Sequence, residues 1–84
     1  MKSWTTSKFW GYYTGLPPEI KKTARKQFLL WLKDPNHPSL QFKKVGRFWS
    51  VRVNLEYRAL CYPKDGDFYW FWIGHHNEYD RLLK

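Results

Sequence analysis

The spacing of apolar residues changes once along this chain, and the change limits how the chain can fold. Between Ile20 and Leu32 apolar residues recur every three or four positions, as they do on the buried side of an amphipathic helix. From Leu40 to Leu55 they mostly alternate with polar residues, as they do in half-exposed strands. A chain of 84 residues has room for one hydrophobic core. We therefore expect a single domain over residues 1–84.

The N-terminal part predicts a short strand and two helices. Lys2–Thr6 is expected to be an edge strand, and Ser7 is expected to cap a helix that Gly15 ends. A second helix is predicted to begin within Leu16–Glu19, with proline in its first turn, and to be broken by residues 34–38. Its buried stripe is predicted to contain Ile20, Ala24, Phe28, Trp31 and Leu32.

The remainder predicts three or four strands joined by short connections, which is typical of an antiparallel sheet. Asp65–Gly66 is expected to be a hairpin turn and Asp80–Lys84 a short C-terminal helix. The predicted class is α+β, with the short N-terminal strand and two helices packed on one face of this sheet. The other face would then be open to solvent or to a partner. The core is predicted to contain Phe28, Trp31, Val51 and Val53.

Positive charge is concentrated in the middle of the chain. The net charge is +8, and the stretch from Lys21 to Arg58 alone holds ten Lys and Arg against Asp34 and Glu56. A local excess of this kind favours a polyanion or an acidic partner. The aromatic fraction of 21% exceeds what so small a core needs, so we expect some rings at a surface that a partner contacts.

Several classes of site and location are not supported by the sequence. Cys61 is the only cysteine, which excludes an intrachain disulfide, and its apolar surroundings predict a buried thiol. No signal peptide is recognisable, and no apolar run approaches the ~20 residues of a membrane span. His75 and His76 are adjacent rather than a helical turn apart, and no glycine-rich phosphate loop is present. We therefore expect a cytoplasmic protein with no cofactor, metal, small-molecule ligand or membrane partner.

Two histidines and a tyrosine follow the last predicted strand. The bulky segment Trp70–Ile73 stops at Gly74, and His75, His76 and Tyr79 come next. Imidazole exchanges protons near neutral pH, and a tyrosine can donate a hydrogen bond or stack on a base. In so basic a chain this combination indicates RNA chemistry. Taken alone, the segment fits a capped strand with an amphipathic helical tail equally well.

The predicted sheet also carries a group of cations. In metal-independent RNA cleavage the 2′-hydroxyl attacks the adjacent phosphorus, and cations stabilise the doubly charged phosphorane that forms. Arginine suits this task because its planar fork makes two parallel hydrogen bonds to phosphate. A two-residue turn would put Arg52 and Arg58 on opposite faces of the sheet, and one extra residue would put them on the same face. The candidates are Arg52 and Arg58 for the phosphate and Lys43, Lys44 and Arg47 for further RNA contacts.

Two segments resemble toxins of the RelE/ParE superfamily. Trp49–Leu60 is similar to the central hairpin of these toxins, in which a basic strand leads into a Tyr-Arg-aliphatic segment. Ile73–Leu82 resembles the His-x-x-Glu-Tyr-Asp ending of HigB-like members. The predicted order of elements also matches. The resemblance therefore covers nearly the whole chain and implies a RelE-like fold.

The resemblance implies the toxin of a bacterial type II toxin–antitoxin pair. Many members cut mRNA on the ribosome without a metal, which inhibits translation, and an acidic, partly disordered antitoxin neutralises them. The expected partners are therefore an acidic cognate antitoxin, mRNA and the ribosome, with a toxin–antitoxin hetero-oligomer as one form of the complex.

The resemblance also assigns roles by position. Arg52 matches a strand lysine or arginine of the family's active surface, and Arg58 matches its phosphate-binding arginine. His75 or His76 matches the basic residue after the last strand. Tyr79 approximates the C-terminal tyrosine that stacks on the substrate base.

The chain also departs from the family pattern. Ser50 stands where RelE has a second catalytic lysine, and histidine replaces its arginine near the C-terminus, as in YoeB and HigB. The ParE branch poisons DNA gyrase and cleaves no RNA. A ParE-like gyrase inhibitor, or a non-catalytic relative that binds RNA or protein, therefore remains the alternative.

Overall fold

Three helices and a five-stranded sheet make up residues 2–83, the part of the chain that this computed structural model describes. In chain order the elements are β1 (Ser3–Thr5), α1 (Ser7–Thr14), α2 (Pro18–Lys33), a 3₁₀ turn (Pro38–Leu40), β2 (Lys43–Val45), β3 (Phe48–Arg52), β4 (Tyr57–Lys64), β5 (Asp67–His75) and α3 (His76–Leu82). The predicted α+β class is confirmed. Within residues 2–83 no helix has the length and apolar character needed to cross a bilayer.

The strands are ordered β1-β5-β4-β3-β2 across the sheet. Strands β2 to β5 pair antiparallel, as predicted, whereas β1 pairs parallel with β5. The expected antiparallel sheet of three or four strands is therefore a mixed sheet of five. The parallel pair arises because α1 and α2 separate β1 from the other strands, so β1 has no hairpin partner and adds to the free edge of β5.

Helix α1 is capped by Thr6 and not by Ser7, so that prediction was wrong. Thr6 is the last extended residue after β1, with φ −96° and ψ 160°. Its Oγ1 accepts the N–H of Phe9 at 3.2 Å and donates to the Trp70 carbonyl at 3.1 Å. The same side chain thus satisfies an unpaired helix donor and attaches α1 to β5. Gly15 ends α1 as predicted.

The core lies between the two N-terminal helices and one face of the sheet. Trp31, Val51 and Val53 are buried there, as predicted. Trp31 of α2 contacts three rings from two parts of the chain, the segment before β2 and strand β5, at centroid distances of 5.3–5.6 Å. These rings belong to Phe42, Phe68 and Trp70.

Two members of the predicted α2 stripe lie outside the core. Phe28 is 38% exposed and Leu32 is 51% exposed, so their predicted burial was wrong. The inward position of that turn belongs to Gln27, whose Nε2 donates to the main-chain carbonyl of Arg52 at 3.1 Å. Adjacent helix positions are rotated by about 100°. Placing Gln27 against the sheet therefore turns Phe28 toward the rim.

Two local predictions are confirmed. Asp65 and Gly66 connect β4 to β5 with φ values of 53° and 85°, the two positive angles of a type I′ hairpin turn. Cys61 in β4 is fully buried, and burial raises the pKa of its thiol well above the usual range. This cysteine therefore stays protonated and serves as a small core residue.

The end of β5 has no room for a side chain at position 74. A Cβ placed on Gly74 would lie 2.6 Å from Cζ2 of Trp72, whose own side chain is buried. Gly74 pairs with Arg58 across the sheet. The missing side chain therefore leaves room for the Trp72 indole beside this pair.

Replacing Gly74 with alanine is expected to destabilise the fold by about 1–3 kcal/mol, because a buried indole must move. Urea denaturation measures the change. Gly11→Ala is the matched control, since nothing lies within 4 Å of a Cβ at this position in α1. Alanine there is expected to stabilise by about 0.5–1 kcal/mol. Equal stability of the Gly74 variant and the wild type would contradict the packing described.

Candidate functional site

The register of β3 and β4 puts the two strand arginines side by side. Arg52 is directly opposite Arg58, and opposed residues of antiparallel strands share a face. The N–H of Val53 bonds to the carbonyl of Tyr57 at 3.0 Å and continues the pairing. Residues 54–56 then form the connection, the longer of the two turns considered. The arginines therefore share the face opposite to the buried Val51 and Val53 and away from α2.

Within residues 2–83 the two guanidinium groups have no acidic partner within 4.0 Å. Among residues 2–83 the ion pairs within 4.0 Å join His75 to Glu56 and His76 to Asp80, and neither involves an arginine. Like charges in direct opposition across a sheet repel each other. Two partly exposed cations on one sheet face make a candidate site for an anion, and planar guanidinium forks suit phosphate oxygens.

A tight loop fixes one end of Arg58. The Asn54 carbonyl accepts from Arg58 Nη1 at 2.8 Å, and the Tyr57 carbonyl accepts from the same nitrogen at 3.1 Å. Asn54 Oδ1 accepts the N–H groups of Glu56 and Tyr57, both at 2.9 Å. Within residues 2–83, Nε and Nη2 of Arg58 make no hydrogen bond, so these donors are open to a ligand. Asn54 was not among the predicted site residues, although asparagine before a short connection favours such a turn.

Both ring nitrogens of His75 are engaged. Its Nδ1 accepts the N–H of Asn77 at 3.2 Å and thereby caps α3. Its Nε2 lies 3.6 Å from Oε2 of Glu56. Because Nδ1 accepts a hydrogen bond, the neutral ring carries its hydrogen on Nε2, which faces the carboxylate. The ring also packs edge-on against Tyr57, with centroids 5.4 Å apart.

His76 is less constrained than its neighbour. Its Nδ1 lies 4.0 Å from Oδ2 of Asp80, and its side chain is 43% exposed. Its main-chain N–H bonds to the Glu56 carbonyl at 2.7 Å, which places the start of α3 beside the loop that holds Arg58. Nε2 of His76 has no hydrogen-bond partner within residues 2–83 and can meet a substrate.

Tyr79 lies on α3, which begins at His76 and not at Asp80 as expected. The helix starts earlier because the ring of His75 caps it. The Tyr79 ring is 6.4 Å from that of Trp72. Trp72 lies on the arginine face, two residues before the glycine that pairs with Arg58. The structure thus places His76 and Tyr79 at the end of the face that carries the arginine pair.

The three remaining predicted RNA-binding residues are placed differently. Lys43 pairs with Ser50 and is on the arginine face, whereas Lys44 pairs with Trp49 and is on the helix-covered face. Arg47 is exposed in the β2–β3 turn. The face that unites the candidate residues therefore carries Lys43 but not Lys44. In the described part of the chain, no three His, Cys, Asp or Glu side chains form a group able to hold a metal ion.

A second feature lies on the other face of the sheet. An apolar cavity of about 360 Å³ opens between α1, α2 and the sheet. Its wall includes Trp10, Tyr13, Trp31, Val53 and Trp70. The cavity is separated from the arginine pair by the sheet itself, so it belongs to a different surface.

Comparison with protein families gives one match that covers most of the chain. Residues 18–81 match the model of the ParE-like toxin domain. The chain belongs to the ParE-like toxin family. This confirms the resemblance to the RelE/ParE superfamily found in the sequence. A search of curated protein sequences gave no significant match.

Solved structures confirm that this ParE-like toxin has the RelE-like fold. The RelB–RelE antitoxin–toxin complex from Methanococcus jannaschii matches with a TM-score of 0.75 and 12% identity, over 96% of this chain and 99% of that one. The YoeB/ParE toxin from Agrobacterium tumefaciens matches with a TM-score of 0.69 and 15% identity, over 90% of this chain and 99% of that one. A mutant of the E. coli toxin RelE in the free state matches with a TM-score of 0.69 and 10% identity, over 96% of this chain and 88% of that one. At these identities the likeness establishes the fold alone.

Proposed function

We propose that this ParE-like toxin acts in a type II toxin–antitoxin pair and cleaves mRNA on the ribosome without a metal ion. The arginine pair is the main support for this proposal, because Arg52 and Arg58 are opposed on one face and no carboxylate of the described residues 2–83 forms an ion pair with them within 4.0 Å. A phosphate held between them would receive two forks of N–H donors. Such donors stabilise the phosphorane more than the ground state, since its oxygens carry the extra charge.

The proton steps are assigned to His76. A neutral imidazole accepts the proton of the 2′-hydroxyl as the new P–O2′ bond forms. The imidazolium then returns that proton to the 5′-oxygen as the P–O5′ bond breaks, which leaves a 2′,3′-cyclic phosphate and a 5′-hydroxyl. His76 suits this role because its side chain is 43% exposed, and Tyr79 of the same helix would stack on the adjacent base.

Cleavage products provide the test. Ribosome-bound mRNA is incubated with the wild type in the magnesium that ribosomes need, and the chemical groups at the termini of the products are identified. Termini with a cyclic phosphate and a 5′-hydroxyl support attack by the 2′-hydroxyl, whereas 5′-phosphate termini indicate metal-assisted hydrolysis and contradict the proposal.

The family description favours one alternative, inhibition of DNA gyrase, because the matching model is that of a ParE-like toxin domain. A DNA supercoiling assay with purified gyrase separates the two. Intact mRNA together with inhibited gyrase would replace the RNA proposal. Intact mRNA with active gyrase would indicate a relative that has lost the chemistry.

Replacing His76 with alanine is expected to slow cleavage by about 10²–10⁴-fold, the usual contribution of a general acid–base group. His75→Ala is the matched control, since Nδ1 of His75 accepts a main-chain hydrogen bond and its Nε2 faces the Glu56 carboxylate at 3.6 Å. That variant should mainly lose the cap of α3, which costs about 0.5–2 kcal/mol of stability. Single-turnover rates and urea denaturation measure both effects. A stable His75→Ala variant with the larger loss of rate would reverse the assignment.

We further propose that an acidic antitoxin neutralises the toxin by covering the helix side of the molecule. The cavity between α1 and α2 would take its apolar side chains, beside the exposed Leu29 and Leu32. Lys22, Arg25 and Lys26 of α2 are exposed and would attract its acidic residues. The complex from M. jannaschii that matches this fold is itself an antitoxin–toxin pair. A neighbouring reading frame that encodes a small acidic protein would support this partner, and its absence would favour a stand-alone RNA-binding domain.

A further inference from the structure

Five aromatic side chains form a continuous row across the arginine face of the sheet. We call this set the aromatic row. Neighbouring rings have centroids 5.0–6.5 Å apart, and the two pairs that involve Tyr69 are stacked with interplanar angles of 18° and 13°. In order across the sheet the members are Trp4 of β1, Tyr69 of β5, Tyr62 of β4, Phe71 of β5 and Phe48 of β3.

The row shares its face with the arginine pair. Arg58, Leu60 and Tyr62 alternate along β4 and therefore point the same way. Phe71 joins this face because the pairing of β4 with β5 shifts between Leu60 and Cys61, which leaves one extra residue in β5. At the usual rise of a strand, Tyr62 lies about 13 Å from Arg58. A ligand held by the arginines can therefore continue onto the row.

The row is open to solvent. Trp4 is 48% exposed, and the other four members are partly exposed. Helix α3 contacts this face through Tyr79 and Trp72, at the end where the arginines lie. An isolated exposed ring is common in proteins, but five adjoining rings on one open face indicate a surface that contacts a partner.

The charges around the row indicate which class of partner fits this surface. Lys43 and Lys64 lie on the same face and add to the arginine pair. The carboxylate near the row is that of Asp67, which accepts from Trp4 Nε1 at 3.3 Å. Rings beside an excess of cations match a ligand that presents both flat apolar surfaces and negative charge. Unpaired nucleobases on a phosphate backbone have this combination, whereas the bases of a duplex hide their faces against one another.

We propose that the aromatic row binds unpaired bases of the RNA strand that runs on from the phosphate held by Arg52 and Arg58. The inference rests on the proposed function and extends it, because it gives the substrate a path across the sheet and requires that path to be single-stranded. Stacking on rings tolerates any base. The row therefore contributes affinity for unpaired RNA and not a preference for sequence.

Binding of an RNA that cannot be cleaved tests the row separately from catalysis. The probe is a fluorescent oligouridine with 2′-O-methyl groups throughout, which lacks the attacking hydroxyl, and anisotropy gives its Kd. Tyr62→Leu combined with Tyr69→Leu is expected to raise Kd about 5- to 100-fold, from the usual contribution of stacking per base. Tyr62→Phe keeps the ring and should bind as the wild type does.

Phe28→Leu is the matched control, since Phe28 is a partly exposed ring on α2, on the opposite side of the sheet. It should leave Kd unchanged. An unchanged Kd for the double variant, or an equal loss in Phe28→Leu, would overturn the inference, provided that urea denaturation shows both variants folded. A double variant that binds the RNA normally but loses affinity for the antitoxin would also overturn it, because the row would then be a protein-binding surface.

The outcomes for the row and for catalysis are distinguishable. A wild type that binds the methylated RNA through the row but leaves ribosome-bound mRNA intact would contradict the proposed cleavage and support the row. A double variant that binds as tightly as the wild type, in a toxin that does cleave RNA, would overturn the row alone. Excess double-stranded RNA should compete poorly with the probe, and strong competition would count against an unpaired ligand.

Discussion

Arg58→Ala is expected to lower the rate of RNA cleavage by about 10²–10³-fold, which corresponds to roughly 2–4 kcal/mol of lost transition-state stabilisation. The loss is large because two carbonyl groups already fix Nη1 of Arg58, so the remaining donors of the guanidinium are held in place for the phosphate. A preorganised donor needs no rearrangement when charge develops. The single-turnover rate on ribosome-bound mRNA is the quantity to measure.

Two further variants make this prediction specific. Arg58→Lys keeps the charge but loses the fork, so it should recover only part of the rate. Arg25→Ala removes the same charge from the exposed face of α2 and should leave the single-turnover rate unchanged. Equal losses of cleavage rate in the Arg25 and Arg58 variants would mean that the rate depends on net charge alone. Full activity of Arg58→Ala would remove the arginine pair from the mechanism.

The order of helices and strands could be predicted because the spacing of apolar residues differs between the two kinds of element. The three- and four-residue spacing in α2 and the alternation in β3 each report which side of an element is buried, and Trp31, Val51 and Val53 were assigned correctly on that basis. Periodicity did not separate Gln27 from Phe28, since both lie close to the buried side of α2. Gln27 rather than Phe28 faces the sheet because Gln27 donates a hydrogen bond to β3, and such a tertiary contact cannot be read from local spacing.

The pairing of the strands was harder to predict from the sequence. Alternation shows that a segment is a strand, but it does not name the neighbours of that strand. The parallel pairing of β1 with β5 joins residues more than sixty positions apart, as in the match of Ser3 with Phe68. Local sequence contains no signal for such a contact. The sequence therefore predicted β1 as a strand but did not predict its parallel pairing with β5.

The candidate site was likewise predictable in its residue types but not in its tertiary arrangement. The types of residue were predicted from the sequence, but their grouping depends on the connection after β3, where the Asn54 side chain holds two N–H groups and sets the register. That register joins Arg52 to Arg58 on one face. The separate pairing of β2 with β3 leaves Lys44 on the other face. The grouping of the cations thus depends on two strand registers, and the Asn54 side chain lies in the loop that sets one of them.

Trp31→Ala is expected to destabilise the fold by about 3–5 kcal/mol, the largest change in stability expected for any substitution proposed here. Trp31 is buried and its ring contacts aromatic side chains from the sheet and from the segment before β2. Because small domains are marginally stable, with roughly 5–15 kcal/mol in total, the variant should be largely unfolded at moderate urea concentrations. Leu29→Ala on the exposed side of α2 is the control and should change stability by less than about 0.5 kcal/mol.

Trp31→Phe separates the packing of this residue from its polar atom. The indole Nε1 is buried without a hydrogen-bond partner in residues 2–83, and an unsatisfied buried donor costs about 1–3 kcal/mol. Phenylalanine keeps most of the aromatic contact and removes that donor, so the two effects oppose each other. We expect a net loss below about 2 kcal/mol, measured by urea denaturation beside the alanine variant. A loss as large as that of Trp31→Ala would mean that the indole N–H is satisfied in solution, for example by water in the adjoining cavity, and that the whole ring is needed to hold α2 on the sheet.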